Sequence, residues 1–432
     1  MTSDQARVAL GFARERWLLP RTYDARRAAA LARFLREDLP RAAFYRPWAG
    51  RGLAELPVVD KPTVLADFAA FNRHGITLAQ ALEVAEAAER SRDFTSTLPG
   101  GVTVGLSSGT SGTRGVFLVS AEESRLWAGI LMGQLMSPAS LRTLVRRPLR
   151  VALFLRANSN LYETLDSRRV RFSWHDLTVP IEDHLPRLAG VDVLVAPAGV
   201  LRRIAELRDR VPGLRPLQVV SVAETLEPDD AAVIAAAFGR PVEQIYQATE
   251  GLLAVSCPAG RLHLNEGHVH VEPEWIDHQH FHPVVTDFTR TTQLVVRHRL
   301  DDVLQAAPGP CPCGRPGRSI TAVLGRADDV LDLAAEADPL TRVAVYPDVL
   351  RHTVALAGDL GDYRIEQHPG EGTDPQWRVA VTTADPTAVD RVTAEVKLLA
   401  ERLRARPPAV VPMTWPAEAP DQKRRRIKRV GA

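Results

Sequence analysis

Lysine and cysteine are both scarce in this 432-residue chain. It has three cysteines, and its 54 lysines and arginines are almost all arginine. Any mechanism that requires a mobile primary ammonium therefore has few candidates, and they are Lys61, Lys397, Lys423 and Lys428.

Long apolar runs and a strong net charge are also missing. No apolar run approaches the roughly 18 residues of a membrane span, and the first residues lack the charged and apolar regions of a secretory signal. The formal net charge is only +2, which gives no argument for binding nucleic acid or an anionic membrane. We therefore expect a cytoplasmic protein whose partners include neither nucleic acid nor membrane.

The segment from Gly105 to Gly115 is the most informative part of the sequence. It is rich in glycine, serine and threonine and lies between β-rich runs at 102–104 and 116–119. Glycine lets a backbone approach a ligand closely, and successive N–H groups with nearby hydroxyls form a concavity that binds anions. The segment lacks the lysine of a Walker loop, and a strand follows it instead of a helix. It predicts a hairpin that holds phosphate, with an ordinary turn as the alternative.

Buried-strand patterns recur in the middle of the chain. They lie at 150–155, 191–196 and 217–222, and helical patterns at 200–207 and 231–238 separate or follow them. Strands that alternate with helices indicate an α/β layered core with parallel strands.

The length and composition predict two domains. At 45% apolar and 25% charged residues, the chain is typical of a globular protein. We predict a large α/β domain at 1–325, of which 1–95 is helical, and a small α+β domain at 326–432. In the small domain, short strands at 363–367 and 377–382 precede a helix.

Four polar clusters lie where a nucleotide site would need them, at 220–225, 245–251, 297–302 and 325–329. The first ends a predicted strand, and ligands of open α/β sheets bind beyond the carboxyl ends of strands. Tyr246 offers a ring for stacking, Thr249 a hydroxyl for phosphate, and Glu250 a carboxylate of the kind that Mg²⁺ prefers. Asp302 offers a carboxylate for ribose hydroxyls. For each cluster, a solvated acidic turn or a packing tyrosine is the structural alternative.

This ordered set resembles the motifs of adenylate-forming enzymes, in the branch of phenylacetate–CoA ligases and deazaflavin-coenzyme adenylating synthetases. The runs Phe154–Glu163, Tyr246–Gly251 and Arg299–Leu304 are similar to those of its capsule-biosynthesis-like members. The resemblance covers about residues 100–350 and is weak outside them. It implies a large α/β domain with layered mixed sheets and a small mobile C-terminal α+β domain.

The resemblance also implies which residues hold the phosphates of ATP. Thr249 would contact the α-phosphate and Glu250 would hold Mg²⁺. The β- and γ-phosphates would be held by the glycine-rich loop, at Ser107, Ser108, Gly109, Thr110, Ser111, Gly112 and Thr113.

The remaining nucleotide contacts follow from the same resemblance. Asp302, in preference to Asp301, would bind the ribose and Arg326 would contact the nucleotide, while Asp328 would be the hinge of the small domain. The adenine would be lined by Ala223, Glu224 and Thr225, with Tyr246 stacking near it.

The implied reaction activates a carboxylic acid. A carboxylate oxygen attacks the α-phosphorus of ATP, which gives an acyl-adenylate and pyrophosphate, and the acyl group then passes to CoA, an amine, a hydroxyl or a carrier protein. Catalysis is positioning and charge neutralisation without a covalent protein nucleophile. A nucleotidyltransferase with a non-carboxylate acceptor and a non-catalytic ATP-binding paralogue are the alternatives. The acid and the choice between monomer and homodimer stay open.

Two positions depart from the resemblance. Arg114 lies where many relatives have a lysine in the phosphate loop, and an arginine keeps the charge and adds bidentate donors. Relatives also place their adenylation lysine in a C-terminal Gly-Lys-x-x-Arg pattern, whereas this chain has a basic tail at 423–429. Depending on register, Lys428 or Arg426 takes the catalytic position, and we favour Lys428. A solvated tail without a role is the alternative, because blocks of like charge are often disordered.

The cysteines are spaced as metal ligands. Cys311 and Cys313 form a Cys-x-Cys knuckle, and His263 follows Cys257 by six residues. Three thiolates and one imidazole make a closed tetrahedral set of the structural kind, and in a reducing compartment this spacing favours metal over disulfide. Some phenylacetate–CoA ligase relatives carry a similar site. We predict a structural Zn²⁺, with unligated thiols packed as small hydrophobes as the alternative.

Two further groups have alternative interpretations. Trp127, Met132 and Met136 are either core or acid pocket, and we favour core. Five histidines are either polar surface or a second metal site, and we favour surface, with two of them expected on one face of a strand: His268, His270, His278, His280 and His282.

Overall fold

The computed structural model describes residues 3–18, 22–106, 115–155, 166–326, 330–370, 374–415 and 425–430. They fall into two compact units: one within Met1–Leu300 and Gln305–Ala322, the other within Asp301–Leu304, Val323–Ala419 and Arg424–Ala432. We predicted that the second domain begins after residue 325. The second compact unit begins at Val323 and also includes Asp301–Leu304. In the described part, no helix is long and apolar enough to cross a membrane.

The beginning of the first unit is helical, as its arginine- and alanine-rich sequence predicts. Its α-helices are α1 (Ser3–Ala13), α2 (Tyr23–Glu37), α3 (Lys61–Ala66) and α4 (Leu78–Ser91). A π-helical turn follows α1 at Arg14–Leu18, and short 3₁₀ helices connect the others at Leu39–Arg41, Ala43–Trp48, Leu53–Glu55 and Phe68–Phe71. The buried faces of these elements share one apolar core that includes Phe34, Tyr45 and Phe71.

The strands on either side of the glycine-rich segment pair with each other, as predicted. Strand β1 (Val102–Leu106) pairs antiparallel with β2 (Val116–Ser120), and Leu106 lies opposite Val116. Residues 107–114 lie outside the described residues. Ser120 then caps α5 (Ala121–Leu135) by accepting the Glu123 N–H, while Glu123 accepts the Ser120 N–H in return. This reciprocal cap begins the helix at a defined residue directly after the hairpin.

Parallel strands form the middle of the main sheet and confirm the predicted α/β core. They lie in the order β4, β3, β5, β6, β7 and are β3 (Leu149–Leu155), β4 (Val170–Asp176), β5 (Val193–Ala196), β6 (Gln218–Ser221) and β7 (Val242–Ala248). The intervening helices are α6 (Pro138–Arg146), α7 (Ile181–His184), α8 (Ala198–Glu206) and α9 (Pro228–Phe238), with 3₁₀ turns at Leu185–Leu188 and Arg208–Arg210. Helix α9 ends at Gly239, whose φ of 65° lies in the left-handed region that glycine adopts without a Cβ clash.

The sheet then continues in antiparallel strands. Strand β8 (Gly251–Ser256) pairs with β7, and the order beyond it is β9, β14, β13, β11, β10, with β12 on β11. The strands are β9 (Leu262–Leu264), β10 (Val269–Trp275), β11 (His280–Asp287), β12 (Val295–Arg299), β13 (Asp302–Ala306) and β14 (Ser319–Arg326). Only the residues of β13 and β14 within Gln305–Ala322 belong to the first unit.

The second unit has the predicted α+β character around a core of its own. Its sheet has the order β19, β18, β17, β20, in which only the β17–β18 pair is antiparallel. The elements are β15 (Leu331–Ala334), β16 (Arg342–Val345), α10 (Pro347–Leu356), β17 (Tyr363–His368), β18 (Gln376–Val381), α11 (Ala388–Arg402), β19 (Ala409–Pro412) and β20 (Ile427–Arg429). The last of these strands lies in the segment for which a solvated tail was the alternative.

Candidate functional site

Thr249 and Glu250 occupy the tight turn between β7 and β8. Ala248 pairs with Gly251 across the turn, so both side chains lie beyond the carboxyl end of the last parallel strand. Gly251 has a φ of +155°, and a Cβ there would lie 2.7 Å from the Asp287 carboxylate. This position therefore requires glycine for both backbone conformation and space.

Arg290 contacts this turn through a hydrogen bond to its backbone. Its Nη1 donates to the Thr249 carbonyl at 2.5 Å, and its Nη2 donates to the Leu118 carbonyl in β2 at 3.3 Å. The guanidinium carbon also lies 5.6 Å from the centre of the Trp127 ring, within the range of a cation–π contact. One side chain thus connects the strand after the glycine-rich loop to the turn that carries Glu250.

Arg290 and Asp287 are fully buried charges near one another. Burial raises the pKa of the Asp287 carboxyl, and hydrogen bonds from Thr289 oppose that shift. Burial lowers the pKa of Arg290, while attraction to Asp287, Glu123 and Glu250 opposes it. Because a guanidinium keeps its proton in proteins, we take Arg290 as a cation that favours the ionised form of Asp287.

Glu250 has a basic neighbour. Its Oε1 lies 3.6 Å from Nε2 of His298, and the two side chains are 14% and 7% exposed. A carboxylate with this partial access at a sheet edge fits an Mg²⁺ ligand, since Mg²⁺ is usually bound through one or two carboxylates together with substrate phosphates.

The segment predicted to line an adenine lies at the same edge of the sheet. Ser221 pairs with Gln244, so Ala223 and Tyr246 each lie two residues beyond that pair toward the carboxyl ends of their strands. Ala223 has a φ of 63°, which costs about 1–2 kcal/mol for a residue with a Cβ. Strained backbone of this kind is enriched at functional sites, although Arg92, Arg297 and Arg404 also have positive φ.

Glu224 and Thr225 follow Ala223 in this segment. The Glu224 carboxylate accepts the Gly199 N–H at 3.1 Å, at the beginning of α8. Glu224 thereby ties the ends of two neighbouring strands together, and Thr225 is half-buried beside it.

The predicted metal ligands come together in the first unit. Ligand atoms of four residues all lie within 4.8 Å of one another, and they belong to Cys257, His263, Cys311 and Cys313. The Cys257 and Cys311 sulfurs are 3.6 Å apart, too far for a disulfide at about 2.05 Å. Two sulfurs on a tetrahedral zinc, each at about 2.3 Å, lie about 3.8 Å apart. The donor set and its spacing therefore fit Zn²⁺.

The burial of His263 favours the neutral imidazole that a metal ligand requires. It lowers the pKa of His263, with repulsion from Arg315 acting in the same direction. The ring is therefore neutral near pH 7, as a metal ligand must be.

The C-terminal basic residues have different environments in the second unit. Arg426 is buried, and its Nε donates to the Asp362 carboxylate at 2.8 Å, which gives it a structural partner. Lys428 is the middle residue of β20, opposite Glu366, and is half-buried. Within the described part of the chain, no ion pair involves Lys428. The solvated-tail alternative is therefore wrong for residues 425–430, because Ile427 is buried and the segment pairs with β17.

Several predicted nucleotide residues are not placed by the structure. Ser107–Thr113 and Asp328 lie outside the described residues, and of Arg326 only the backbone is described, at the end of β14. Asp302 is half-buried at the beginning of β13, in the second unit. Their roles stay predictions.

The histidines have protein partners, and the surface interpretation holds only for His278, which is exposed. It is wrong for the others, because His280 is buried and His268, His270 and His282 are half-buried. His268 contacts Glu15 at 2.7 Å, His270 contacts Arg27 at 2.9 Å, and His280 contacts Asp277 at 2.7 Å. Among the described residues, the only group arranged to hold a metal is the Cys/His cluster. The expectation that His268 and His270 share a strand face is wrong, because β10 begins at Val269.

The aromatic and methionine group is core, as we favoured. Met136 is buried in one apolar cluster, and Trp127 and Met132 pack against it. Asp287, Arg290 and His298 were not predicted from the sequence. The only sequence feature that marks Asp287 and Arg290 is their opposite charge in the short segment between two apolar strands. Charged residues in such a segment usually lie in a surface turn.

Comparison with known proteins finds similarity in structure only. No family model and no curated protein matches the sequence. A 2-hydroxyisobutyryl-CoA ligase in complex with 2-HIB-AMP is similar over 99% of this chain and 90% of its own, with a TM-score of 0.60 and 15% identity. The acyl acid amido synthetase AtGH3.15 is similar over 95% of this chain and 89% of its own, with a TM-score of 0.55 and 13% identity.

A third solved structure is similar over a smaller part. The amide bond synthetase McbA from Marinactinospora thermotolerans matches 76% of this chain and 68% of its own, with a TM-score of 0.51 and 16% identity. At these identities the likeness concerns the fold alone. The chain has the mixed α/β fold of adenylate-forming ligases, with a large sheet-centred part and a smaller C-terminal part.

Proposed function

We propose that this protein is an ATP-dependent ligase that activates a carboxylic acid as its acyl-adenylate. The observation that carries the proposal is Glu250, in a turn beyond the parallel strands, connected through Arg290 to the strand that follows the glycine-rich loop. In this proposal Glu250 holds the metal and the hairpin of the glycine-rich loop holds the phosphates. The fold it shares with a CoA ligase and two amide-forming synthetases supports the same chemistry.

In this proposal, the carboxyl edge of the sheet binds ATP. Tyr246 stacks near the adenine, and the backbone at Ala223, with its unusual φ, follows the base. Thr249 donates to the α-phosphate and Glu250 holds Mg²⁺, which neutralises phosphate charge. The loop residues Ser107–Thr113, Asp302, Arg326 and the hinge residue Asp328 keep the roles that the motif resemblance implies.

The reaction needs positioned charges more than a nucleophilic side chain. The substrate carboxylate forms a bond to the α-phosphorus, and the bond to the pyrophosphate oxygen breaks. We assign the neutralising cation to Lys428, since Arg426 is engaged with Asp362. The acyl group then passes to CoA or to an amine or hydroxyl acceptor. Assignment to the phenylacetate–CoA ligase branch rests on the motifs alone.

ATP–pyrophosphate exchange with Mg²⁺ against a panel of aryl, amino and short-chain acids tests this function. Exchange that depends on one acid, with acyl-AMP identified by mass, supports it. ATP binding without exchange for any acid would favour a non-catalytic paralogue, and AMP attached to a phosphate acceptor would favour a nucleotidyltransferase. Glu250→Ala should lower exchange by at least about a hundredfold while the circular dichroism spectrum stays unchanged.

We also propose that the Cys/His cluster binds one structural Zn²⁺. The cluster joins the end of β8, strand β9 and the segment before β14, so a metal there would cross-link three parts of the sheet. Metal analysis of the purified protein should find about one zinc per chain, and Cys311→Ser should release it and lower the melting temperature. A wild-type protein free of zinc would contradict this assignment.

A further inference from the structure

A second concave site lies in the first unit. It is a cleft of about 460 Å³, walled by one face of α2, the turn after α1, the beginning of α5 and the segment 288–291. None of the described residues to which we assign a nucleotide role lines it. Six arginines line it, and we call it the arginine cleft: Arg14, Arg26, Arg27, Arg33, Arg41 and Arg73.

The residues of α2 that line the cleft have the spacing of one helix face. Arg26, Ala30, Arg33 and Glu37 all line the cleft, and they are separated by four, three and four residues. Side chains with this spacing share one helix face. Arg26 is half-buried and Arg33 is exposed, so the row runs from the interior of the cleft to its opening.

The acidic side chains of the cleft are already engaged within the protein. Glu15 contacts His268 at 2.7 Å, and Asp38 contacts Arg41 at 3.2 Å. Glu123 accepts the backbone N–H groups of Thr291 and Thr292. The two exposed acids pair with arginines outside the cleft, Glu37 with Arg36 and Glu122 with Arg7.

Four of the arginines are not neutralised in this way. Of the residues that the structure describes, none forms an ion pair with Arg14, Arg26, Arg33 or Arg73. In addition, Nη1 of Arg26 is buried without a hydrogen-bond partner among them. A buried donor without an acceptor is costly, and neighbouring like charges add repulsion. Because the carboxylates of the cleft contact other groups, these four arginines are available to an anion from solution.

We propose that the arginine cleft binds a small polyanion that carries at least two phosphate or carboxylate groups. Guanidinium groups bind both through paired N–H donors, and the volume is in the range of small-molecule sites. A single anionic group would engage only part of the arginine row, from Arg26 inside to Arg33 at the opening. The proposal does not depend on the adenylation reaction, since it involves none of the residues assigned to it.

Isothermal titration calorimetry on the full chain tests the proposal. The probes are inorganic pyrophosphate and citrate, in low salt and without the Mg²⁺ through which the proposed nucleotide site would hold phosphate. We expect one probe bound per chain. The double variant Arg26→Met/Arg33→Met should weaken binding about a hundredfold, because it removes two charge-assisted contacts.

A matched control separates a built site from a general charge effect. Arg51→Met/Arg90→Met removes the same charge from two exposed arginines that have surface partners and do not line the cleft, and it should leave the affinity unchanged. Binding of pyrophosphate alone would identify a phosphorylated ligand, and binding of citrate alone a polycarboxylate. The proposal is overturned if neither probe binds, if the cleft variant binds as the wild type does, or if the control loses as much affinity.

Discussion

The Thr249–Glu250 turn and the arginine cleft use the same side chain in opposite ways. At the turn, Arg290 is fully buried and donates to two carbonyls, with an aromatic ring and three carboxylates nearby. In the cleft, Arg26 keeps a buried donor without a partner among the described residues. Each arginine has one buried N–H without a partner among the described residues, Nη1 of Arg26 and Nε of Arg290. They differ because Arg290 also donates to two backbone carbonyls and has carboxylates nearby, whereas Arg26 forms no ion pair among those residues. The two sites therefore predict opposite responses to removal of an arginine.

The largest effect is expected at the turn. Arg290→Met would remove the donor to the Thr249 and Leu118 carbonyls and a positive charge close to the buried Asp287. We expect the free energy of unfolding to fall by about 3–5 kcal/mol, measured by urea denaturation. Arg203→Met, which removes an exposed arginine from a pair with Glu182, is the control and should cost at most about 1 kcal/mol. Equal losses for the two variants would show that Arg290 stabilises the fold no more than an exposed arginine does.

In the second unit, Arg426 has an ion-pair partner and Lys428 has none among the described residues. Lys428→Ala should lower adenylate formation by about a hundredfold or more, with nucleotide affinity and thermal stability nearly unchanged. Arg426→Met should instead destabilise the protein by about 1–3 kcal/mol, because it removes the charge-assisted hydrogen bond from the buried Arg426 to Asp362. Pyrophosphate exchange and thermal melting of both variants measure the two effects. If Arg426→Met proves to be the variant that loses exchange while remaining stable, the assignment of Lys428 is wrong.

A glycine pair tests the turn without a change of charge. Gly251→Ala must adopt a φ near +155° and place its Cβ 2.7 Å from the Asp287 carboxylate; we expect a loss of about 1–3 kcal/mol from the backbone alone. Gly260→Ala also has a positive φ, 78°, but no heavy atom within 4 Å of the added Cβ. It should cost less, about 1 kcal/mol. Chemical denaturation compares them, and a larger loss at Gly260 would contradict the close approach at Gly251.

The smallest effect has the opposite sign. Arg26→Met removes a buried, unsatisfied donor and one member of a like-charged group, so it should raise the free energy of unfolding without ligand by up to about 1 kcal/mol. The same variant should lose the stabilisation that a bound polyanion gives the wild type. Thermal melting with and without citrate or pyrophosphate measures both. If Arg26→Met lowers the free energy of unfolding in ligand-free buffer, the prediction is wrong and Arg26, like Arg290, is a structural residue.

Much of the fold was predictable because it depends on local patterns. The parallel strands at 150–155, 191–196 and 217–222 were each found within two residues of the observed bounds, since continuous apolar runs between helices have few other interpretations. The hairpin around the glycine-rich loop and the grouping of the three cysteines with His263 were also predictable. Glycine freedom and ligand chemistry restrict those residue types strongly.

The contacts between distant segments were not predictable. Nothing near Arg290 in the sequence indicates that it meets Thr249 and Leu118, which lie 41 and 172 residues away. The basic tail was open to two interpretations, because a run of arginines and lysines does not show which member is buried. The register of β20 on β17 decided that Arg426 is.

The sequence by itself therefore determined the main strands, the hairpin around the glycine-rich loop, the order of the motifs and the grouping of the cysteines with His263, because each depends on residues close together in the chain or on a rare residue type. Only the tertiary structure decided which charges are neutralised and which are not. The difference is physical: the state of a charge depends on the groups that surround it in space, and strands brought together from distant parts of the chain supply those groups.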